Sequence, residues 1–384
     1  MGELGEITTG FPFKSNDFSD DGSYLVITNA NIQSNLNIVD SSKGNRISIG
    51  NSELKKYILN SRDVLITMDG TVGRTARVVR QDQILAQRVA RVKAKNSTDF
   101  LYHFLSHTSF FNAMINLSHG GTIKHISLSE ISNYTSRVPN PSEQNQIGKI
   151  LNTVDNLITL HQRKLNLLQE QKKSLLQKMF PKKDEKIPEI RFNGFTDDWE
   201  QRKLGEYTSL ITKGTTPKNK TGIGEVNFVK VENLIDKKIY PVQHITNEEH
   251  ENHLKRSQLK ENDILFSIAG TLGRTAIVDK SVLPANTNQA LSIIRGFSWD
   301  INFLITYLSG PAVLNYIRKN PTVGAQPNLS LKQISDLDIV GPKQLEQSQL
   351  GILFKIVDNL ITLHQRKLDA LQEHKKGLLQ KMFV

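Results

Sequence analysis

The sequence predicts an α+β protein in which two globular domains alternate with two long helices that pack on each other. Three observations support this prediction. The stretch 154–180 recurs almost unchanged at 357–383, an offset of 203 residues (357 minus 154). Shorter motifs in the globular parts recur in the same order, and apolar residues in both long stretches follow a coiled-coil spacing. A period this long is typical of a duplicated domain rather than of a solenoid repeat.

The two long stretches carry a heptad pattern, which predicts a helix with an apolar seam in each copy. Over 27 positions the copies differ at four, namely 166, 167, 171 and 174 of the first copy. A His and a Lys stand at the same two seam positions of each copy, where polar residues weaken packing but fix register and partner. Each helix could instead pack on its own domain as an ordinary amphipathic helix, but the near identity of the copies favours mutual pairing. The predicted seam residues are Val154, Ile158, His161, Leu165, Leu168, Lys172, Leu175, Met179, Val357, Ile361, His364, Leu368, Leu371, Lys375, Leu378 and Met382.

Turn signals and the repeat divide the chain into five segments. Asn140 followed by Pro141 is typical of a helix start, and Pro181 stops the helix. Strand-like runs lie at 24–27, 63–67 and 88–92, and apolar residues at 100–114 have helical spacing. The predicted segments are a first globular domain at 1–139, a helix at 140–180, a charged linker with little to bury at 181–194, a second globular domain at 195–342 and a second helix at 343–384.

The globular domains repeat each other piece by piece but have diverged much further than the helices. DILFSIAGTLGRTAIV at 263–278 matches DVLITMDGTVGRTARV at 63–78, and GAQPNLSL at 324–331 stands where GTIKHISL stands at 121–128. The lead-in FTDDWEQRK has no counterpart ahead of Leu4, so either the true start lies upstream or the lead-in is dispensable. This distribution predicts two identical docking or spacing elements joined to two different readers.

Composition favours a polyanionic partner and excludes several classes of site. The 384 residues carry a formal net charge of +11 and the pI is about 9.5, which favours nucleic acid, although general solubility charge is an alternative. The absence of cysteine excludes disulfides, thiol catalysis and thiolate metal sites. No apolar run is long enough to span a membrane and no signal peptide pattern is present, so we expect a cytoplasmic protein.

The sequence contains no recognisable catalytic motif. It lacks a phosphate-binding P-loop, a GxGxxG turn that opens a helix after a strand, an HExxH pair and a GxSxG elbow. The Asn/Asp-Pro-Pro-aromatic tetrapeptide expected for amino-group methylation of bases is also missing. We therefore predict no catalytic residue, no metal site and no cofactor on this chain.

Two kinds of residue are candidates for contacts to phosphate. The repeated glycine turns GTVGRT and GTLGRT supply donors suited to phosphate oxygens, and the loop TKGTTPKNK supplies lysines. A tight strand turn whose arginine pairs with a local carboxylate would explain the same glycine motif. The candidates are Thr71, Arg74, Thr75, Thr271, Arg274, Thr275, Lys213, Lys218 and Lys220.

Base reading requires side chains that can form paired hydrogen bonds to base edges, such as Arg to guanine and Asn or Gln to adenine. Residues of these types lie on predicted loops of both domains. The candidates are Arg77, Arg88, Lys124 and His125 in the first domain, and Asn288, Gln289, Gln326 and Asn328 in the second.

Taken over its whole length, the chain resembles the specificity subunit of a type I restriction-modification enzyme. The most telling residues are the Pro-x-x-x-Glu-Gln lead-ins at 139–144 and 342–347, the VDNLITLHQRKL runs that follow them and the LLQKMF ends. The resemblance implies two target recognition domains and an antiparallel coiled coil. It also implies two methyltransferase subunits that bring S-adenosylmethionine to modify adenine, and restriction subunits, when present, that use ATP and Mg.

Helix length and the divergence of the domains add expectations about the target. A helix of 27 residues spans about 40 Å, close to one turn of B-DNA at about 34 to 36 Å. We therefore expect a bipartite, asymmetric DNA target with two half-sites about one turn apart. Two alternatives remain, namely a self-contained DNA-modifying enzyme with a diffuse site and a coiled-coil scaffold whose domains bind protein.

Overall fold

The computed structural model describes residues 1–33, 38–50, 52–218, 221–320 and 327–383. The chain divides into two compact units. Unit 1 comprises Met1–His161 and Lys367–Val384, and unit 2 comprises Gln162–Arg366. Each unit therefore contains one globular domain, the first part of the helix that follows it, and the last part of the other long helix.

The globular part of unit 1 combines two small sheets with three helices. An antiparallel sheet has the strand order β1-β7-β4-β5, and a second sheet has the order β3-β2-β6 with β2 parallel to β6. The elements are β1 Gly5–Thr9, β2 Tyr24–Ile27, β3 Arg46–Ile47, β4 Asp63–Thr67, β5 Thr75–Arg77, β6 Gln83–Leu85, β7 Val89–Ala94, α1 Thr98–Ser106, α2 Thr108–Leu117, α3 Leu128–Asn133 and, continuing beyond the unit, α4 Pro141–Lys178.

Unit 2 repeats this topology. Its sheets have the orders β9-β17-β14-β15 and β13-β10-β16, with β10 parallel to β16, and it adds the pairs β11-β12 and β18-β8. The elements are β8 Glu200–Lys203, β9 Thr208–Lys213, β10 Val226–Val229, β11 Leu234–Ile235, β12 Lys238–Ile239, β13 Gln243–Ile245, α5 Asn247–Glu251, β14 Ile264–Ser267, β15 Thr275–Ile277, β16 Ala285–Thr287, β17 Leu291–Phe297, α6 Ile301–Leu308, α7 Pro311–Lys319, α8 Leu331–Ser335, β18 Asp338–Gly341 and α9 Gln344–Met382. The predicted duplication is confirmed strand by strand.

Most of the predicted elements are confirmed, and one is corrected. Strands β2 and β4 have the predicted bounds, and the strand predicted at 88–92 is β7, Val89–Ala94. The single helix predicted at 100–114 is two helices, because His107 leaves the helical region at ψ 147° and its ring accepts from the backbone N of Ser109. In unit 2 the matching break falls at Gly310 and Pro311, where proline starts a new helix.

In each unit the long helices share a buried core with α1 or α6 and run antiparallel to each other. In unit 2, Lys172 pairs with Asp358, while Met179, further along α4, shares a buried core with Leu350, further back on α9. In unit 1, Asp155 pairs with Lys375, and the core around Leu151 includes the later residues Leu378 and Met382. Antiparallel packing, which the family resemblance implied, is thus present inside each unit.

The predicted seam faces inward along both long helices. None of its sixteen residues is exposed, and the leucines at 165, 168 and 368 are nearly completely buried. The observed helix bounds, Pro141–Lys178 and Gln344–Met382, lie within two residues of the predicted ones at their starts. The coiled coil along the whole seam stays a prediction.

The segment predicted as a linker is irregular in structure, but some of its side chains contact unit 2. Residues 181–194 contain no helix or strand. The Arg191 guanidinium nevertheless forms two hydrogen bonds, of 2.7 and 2.8 Å, to the buried carboxylate of Glu346, and Phe192 packs against the core of unit 2. Within the described ranges, no helix is long and apolar enough to cross a membrane.

Candidate nucleic-acid interface

The repeated glycine turn has the same construction in both units. Gly70 and Gly73 adopt φ values of +72° and +78°, which favour glycine, and Gly270 and Gly273 adopt +73° and +81°. A hydroxyl at the end of the preceding strand braces each turn. Thr67 Oγ1 donates to Thr71 O at 2.5 Å in unit 1, and Ser267 Oγ donates to Thr271 O at 2.6 Å in unit 2. Glycines and a bracing hydroxyl therefore form a turn whose tip can face a ligand.

Only some of the candidate phosphate contacts on these turns are accessible. Thr71, Thr271 and Arg274 are exposed, and Arg74 is half-buried. Thr75 and Thr275 are buried inside the units, and the Thr75 hydroxyl shares a hydrogen bond of 2.6 Å with Ser106 Oγ. The first two residues of β5 and of β15 are both buried, so this placement gives no support to a DNA contact by either inner threonine.

In unit 1, side chains from three separate loops meet beside the turn, at Asp69. Arg88 Nη1 lies 3.2 Å from Asp69 Oδ2, and His125 Nδ1 is hydrogen-bonded to Asp69 Oδ1. Asn29 Nδ2 donates to the backbone O of Asp69 at 3.2 Å. Arg88 has φ +68° and keeps 68% of its side chain exposed, so its guanidinium projects outward while one edge is held. We call Asp69, Arg88 and His125 the Asp69 cluster.

The neighbouring Lys124 joins this region through its backbone. Its carbonyl accepts from Gly70 N at 2.8 Å, and its side chain is exposed. Arg88, Lys124 and His125, three of the base-reading candidates, therefore lie on one surface although they are far apart in sequence.

The fourth base-reading candidate of the first domain, Arg77, lies elsewhere. Its guanidinium donates to Asp99 at 2.8 Å and to Asn152 at 2.7 Å, and its Nη2 lies 3.8 Å from Asp155. Only 14% of the side chain is exposed. The predicted loop location of Arg77 is wrong, and its paired guanidinium gives no support to a role in reading DNA. Arg77 is a strand residue that faces α1 and α4, and nothing in its local sequence marks those partners.

Unit 2 places neutral side chains where unit 1 has the Asp69 cluster. Ala269 stands at the position of Asp69, and it bridges to Asn328 as Asp69 bridges to His125. Ala290 stands at the position of Arg88, since its carbonyl accepts from Ile268 N as that of Arg88 accepts from Met68 N. The same backbone framework thus carries two different sets of side chains.

The amide candidates of unit 2 lie around this framework. Gln289 is exposed and its Oε1 accepts from Thr216 Oγ1 at 2.6 Å, while half-buried Asn288 caps its own loop by accepting from Ala290 N at 3.2 Å. Asn328 is exposed. Gln326 lies outside the described residues.

The basic loop of unit 2 is tied to the same end of the domain as Gln289. His253 Nε2 donates to the carbonyl of Thr216 at 3.1 Å, and the backbone N of Lys218 donates to Glu249 at 2.6 Å. The side chains of Lys213 and Lys218 are exposed, whereas Lys220 lies outside the described residues. The loop therefore places lysines beside a residue that can read a base.

Comparison with known proteins identifies the family. The model of the type I restriction modification DNA specificity domain matches residues 1–170 and 196–373, one copy for each half of the repeat. The chain belongs to this family. As a DNA specificity subunit it is a non-catalytic component, and the sequence-based interpretation is confirmed at this level.

The matches to two named relatives cover most of this chain and most of each relative. The chain is 24% identical over 336 residues to the type I restriction enzyme MjaVIII specificity subunit of Methanocaldococcus jannaschii, covering 85% of this chain and 79% of the relative. It is 23% identical over 380 residues to the EcoBI specificity subunit of Escherichia coli, covering 91% and 76%. The fold matches the crystal structure of a type I S subunit from M. genitalium with a TM-score of 0.61 at 15% identity, covering 100% of this chain and 94% of that one.

Several residues of the interface could not be found from the sequence of this specificity subunit. Asp69, Asn29 and Thr216 hold the reading candidates in place, but none has a residue type that by itself indicates DNA recognition. The acidic residue directly before a glycine turn was the one available signal. Among the described residues, no group of three or more acidic or histidine side chains could hold a metal ion.

Proposed function

We propose that this specificity subunit reads a bipartite, asymmetric DNA sequence, one half with each globular domain. The observation that supports this is the contrast at one framework position. Unit 1 carries Asp69, Arg88 and His125, whereas unit 2 carries Ala269, Ala290 and Asn328 with Gln289 nearby. Arginine suits guanine, and amides suit adenine. Different chemistry on the same turn predicts two unlike half-sites.

The remaining exposed candidates would contact phosphates in either half-site. They are the threonines at the turn tips, one arginine and the loop lysines, whose types position DNA without selecting sequence. Such contacts would make affinity depend strongly on salt. The proposed phosphate contacts are Thr71, Lys124, Lys213, Lys218, Thr271 and Arg274.

We also propose that two copies of one methyltransferase subunit dock on the repeated helices. Leu157 and Leu160 in unit 1 are 39% and 60% exposed, and their repeat equivalents Leu360 and Leu363 in unit 2 are 38% and 46% exposed. Exposed leucines three residues apart on a helix form an apolar patch suited to a protein partner. Two equal patches favour two equal partners, which would supply S-adenosylmethionine, while restriction subunits would supply ATP and Mg chemistry.

Methylation mapping tests the proposed target. The chain is expressed with its methyltransferase in cells, and modified adenines in genomic DNA are located by single-molecule sequencing. We expect one bipartite motif with two unlike halves, present only when both proteins are expressed. A continuous or palindromic motif would contradict the assignment of one half-site to each domain. The predicted cytoplasmic location belongs to the same proposal and stays a prediction.

The docking patches are tested by lysine substitution. Leu160→Lys or Leu363→Lys should each lower methyltransferase binding by at least about tenfold, because a charge at the centre of an apolar interface is costly. The matched control is Leu167→Lys, since Leu167 is 46% exposed on the same helix but its repeat equivalent is Ala370. Pull-down and light scattering measure the stoichiometry. Equal binding by all three variants would refute the patches.

A further inference from the structure

One acidic residue lies at the same place on each long helix, buried in unit 1 and partly buried in unit 2. Asp155 on α4 and Asp358 on α9 are repeat equivalents, with 2% and 21% of their side chains exposed. A carboxylate removed from water is strongly unfavourable unless cations or donors surround it. Each aspartate must therefore have cationic partners, and the geometry identifies them.

Each aspartate receives one lysine from the other long helix. Lys375 Nζ lies 2.6 Å from Asp155 in unit 1, and Lys172 Nζ lies 2.6 Å from Asp358 in unit 2. These two lysines are the lysine positions of the predicted heptad seam. Their charge offsets that of the aspartate opposite, which gives a reason for a lysine in a seam built mainly from apolar residues.

Each aspartate also receives one cation from its own globular domain, and here the two units differ. In unit 1 the cation is Arg77 of β5, whose Nη2 lies 3.8 Å from Asp155. In unit 2 the equivalent strand residue is Ile277, and the cation is instead Lys237, whose Nζ lies 2.8 Å from Asp358. Lys237 lies on a segment that runs beside β15. The same contact is thus made from two unrelated sequence positions.

One further polar residue, at equivalent positions in the two units, lies near each group of charges. In unit 1, His103 Nε2 lies 3.7 Å from Asp155, and burial, with smaller contributions from Lys375 and Arg77, lowers the pKa of His103 to about 3, so its imidazole is neutral. In unit 2 the equivalent position is Thr306, whose Oγ1 accepts from Lys237 Nζ at 3.1 Å. Burial raises the pKa of Asp358, but Lys237 and Lys172 outweigh it and the net shift is downward.

We propose that Asp155 and Asp358 are joints that lock each recognition domain to its helices, with Arg77 and Lys237 as the positioning residues. Three elements meet at each joint: the domain, its own helix and the other helix. Apolar packing tolerates small sliding movements, whereas an ion pair to an aspartate that is largely withdrawn from water requires one register of the elements that form it. The joint would hold each domain in the orientation that reads DNA. This inference rests on the proposed function.

The test compares Arg77→Met and Lys237→Met in the assembled complex with matched controls. Arg80→Met serves unit 1, and Lys238→Met serves unit 2 as the exposed neighbour of Lys237. Affinity is measured for DNA with both mapped half-sites and for DNA with one half-site scrambled. We expect each positioning variant to lose about tenfold affinity for the complete target, comparable to a mismatched base pair. The affinity of the positioning variants for DNA with one half-site scrambled should stay within about twofold of that of the unmutated complex. The two control variants should stay within about twofold on both kinds of DNA.

Rescue by charge separates positioning from general stability. Lys237→Arg should restore binding of the complete target, whereas Lys237→Gln, which keeps a donor for Thr306 but no charge, should not. Circular dichroism melts identify variants that do not fold, and where a Met variant does not fold, the comparison of Lys237→Arg with Lys237→Gln decides. Unchanged binding by folded Met variants, or equal losses on complete and single half-site DNA, would overturn the joint. Failure of the unmutated complex to prefer any bipartite target would instead refute the proposed function.

Discussion

The two units share a backbone plan and differ in the charges placed on it. At the glycine turn, unit 1 has the Asp69 cluster where unit 2 has Ala269 and Ala290. The turns themselves have the same hydrogen bonds and the same positive φ values. The glycines and the bracing hydroxyl preserve the framework, while the residues beside them are free to change. A duplicated reader can therefore acquire a second specificity without altering its fold.

A second contrast lies in the core, at the first residue of the central hairpin. Asp263 is buried in unit 2, and Arg295 Nε and Nη2 donate to its two oxygens at 2.6 Å each. Asp63 is equally buried in unit 1, but the residue across from it on β7 is Lys93, whose side chain is exposed. The Oδ1 of Asp63 has no hydrogen-bond partner within the part of the chain that the structure describes. The aspartate thus forms an ion pair with an arginine in unit 2, whereas in unit 1 one oxygen accepts from Asn60 N at 2.8 Å and the other has no partner among the described residues.

The largest difference between the units is expected for removal of the paired carboxylate. Asp263→Asn should lower the free energy of unfolding of unit 2 by about 3 kcal/mol, because it leaves the Arg295 guanidinium without its counter-charge. Both tryptophans of the chain, Trp199 and Trp299, lie in the core of unit 2. Urea unfolding followed by tryptophan fluorescence therefore reports this unit. An unchanged transition midpoint would mean that the pair contributes nothing to stability.

A smaller effect is expected for the Asp69 cluster. Arg88→Ala should remove about 2 kcal/mol of discrimination at one base pair, because a paired contact to a base edge is lost. In methylation mapping, one position of a single half-site should become degenerate while the other half stays unchanged. Arg80→Ala is the control, since Arg80 pairs with Asp82 on an exposed loop. A motif identical to that of the unmutated protein would exclude Arg88 as a base reader.

Sequence reasoning located the framework because the framework is local. The strands at 24–27 and 63–67 and the inward seam follow from periodicity within short windows. Arg77, which lies on a strand and not on the predicted loop, illustrates the limit. The local sequence cannot tell an arginine on a loop from an arginine near Asp155. Arg77 and Asp155 are 78 residues apart in the chain (155 minus 77). Lys237 was missed for the same reason, since 121 residues separate it from Asp358 (358 minus 237). Long-range pairing of charges leaves no periodic signal.

The smallest expected effect is a gain in stability, and it depends on pH. Burial raises the pKa of Asp63 above its ordinary value, against the lowering effects of the Asn60 N–H and nearby cations. The folded state therefore holds the proton more tightly than the unfolded state, so stability falls as pH rises from the unfolded pKa through the folded pKa. Asp63→Asn should stabilise unit 1 by about 1 kcal/mol at neutral pH, since an unpaired buried oxygen is costly.

Hydrogen exchange of the β4 amides measures this gain, because unit 1 has no tryptophan. The gain should shrink as pH falls through the raised pKa of Asp63, because the protonated carboxyl is as neutral as the amide that replaces it. The tryptophan transition of unit 2 should not move, since Asp63 belongs to unit 1. A loss of protection at neutral pH would show that the carboxylate is stabilising, and the contrast between the two aspartates would then disappear.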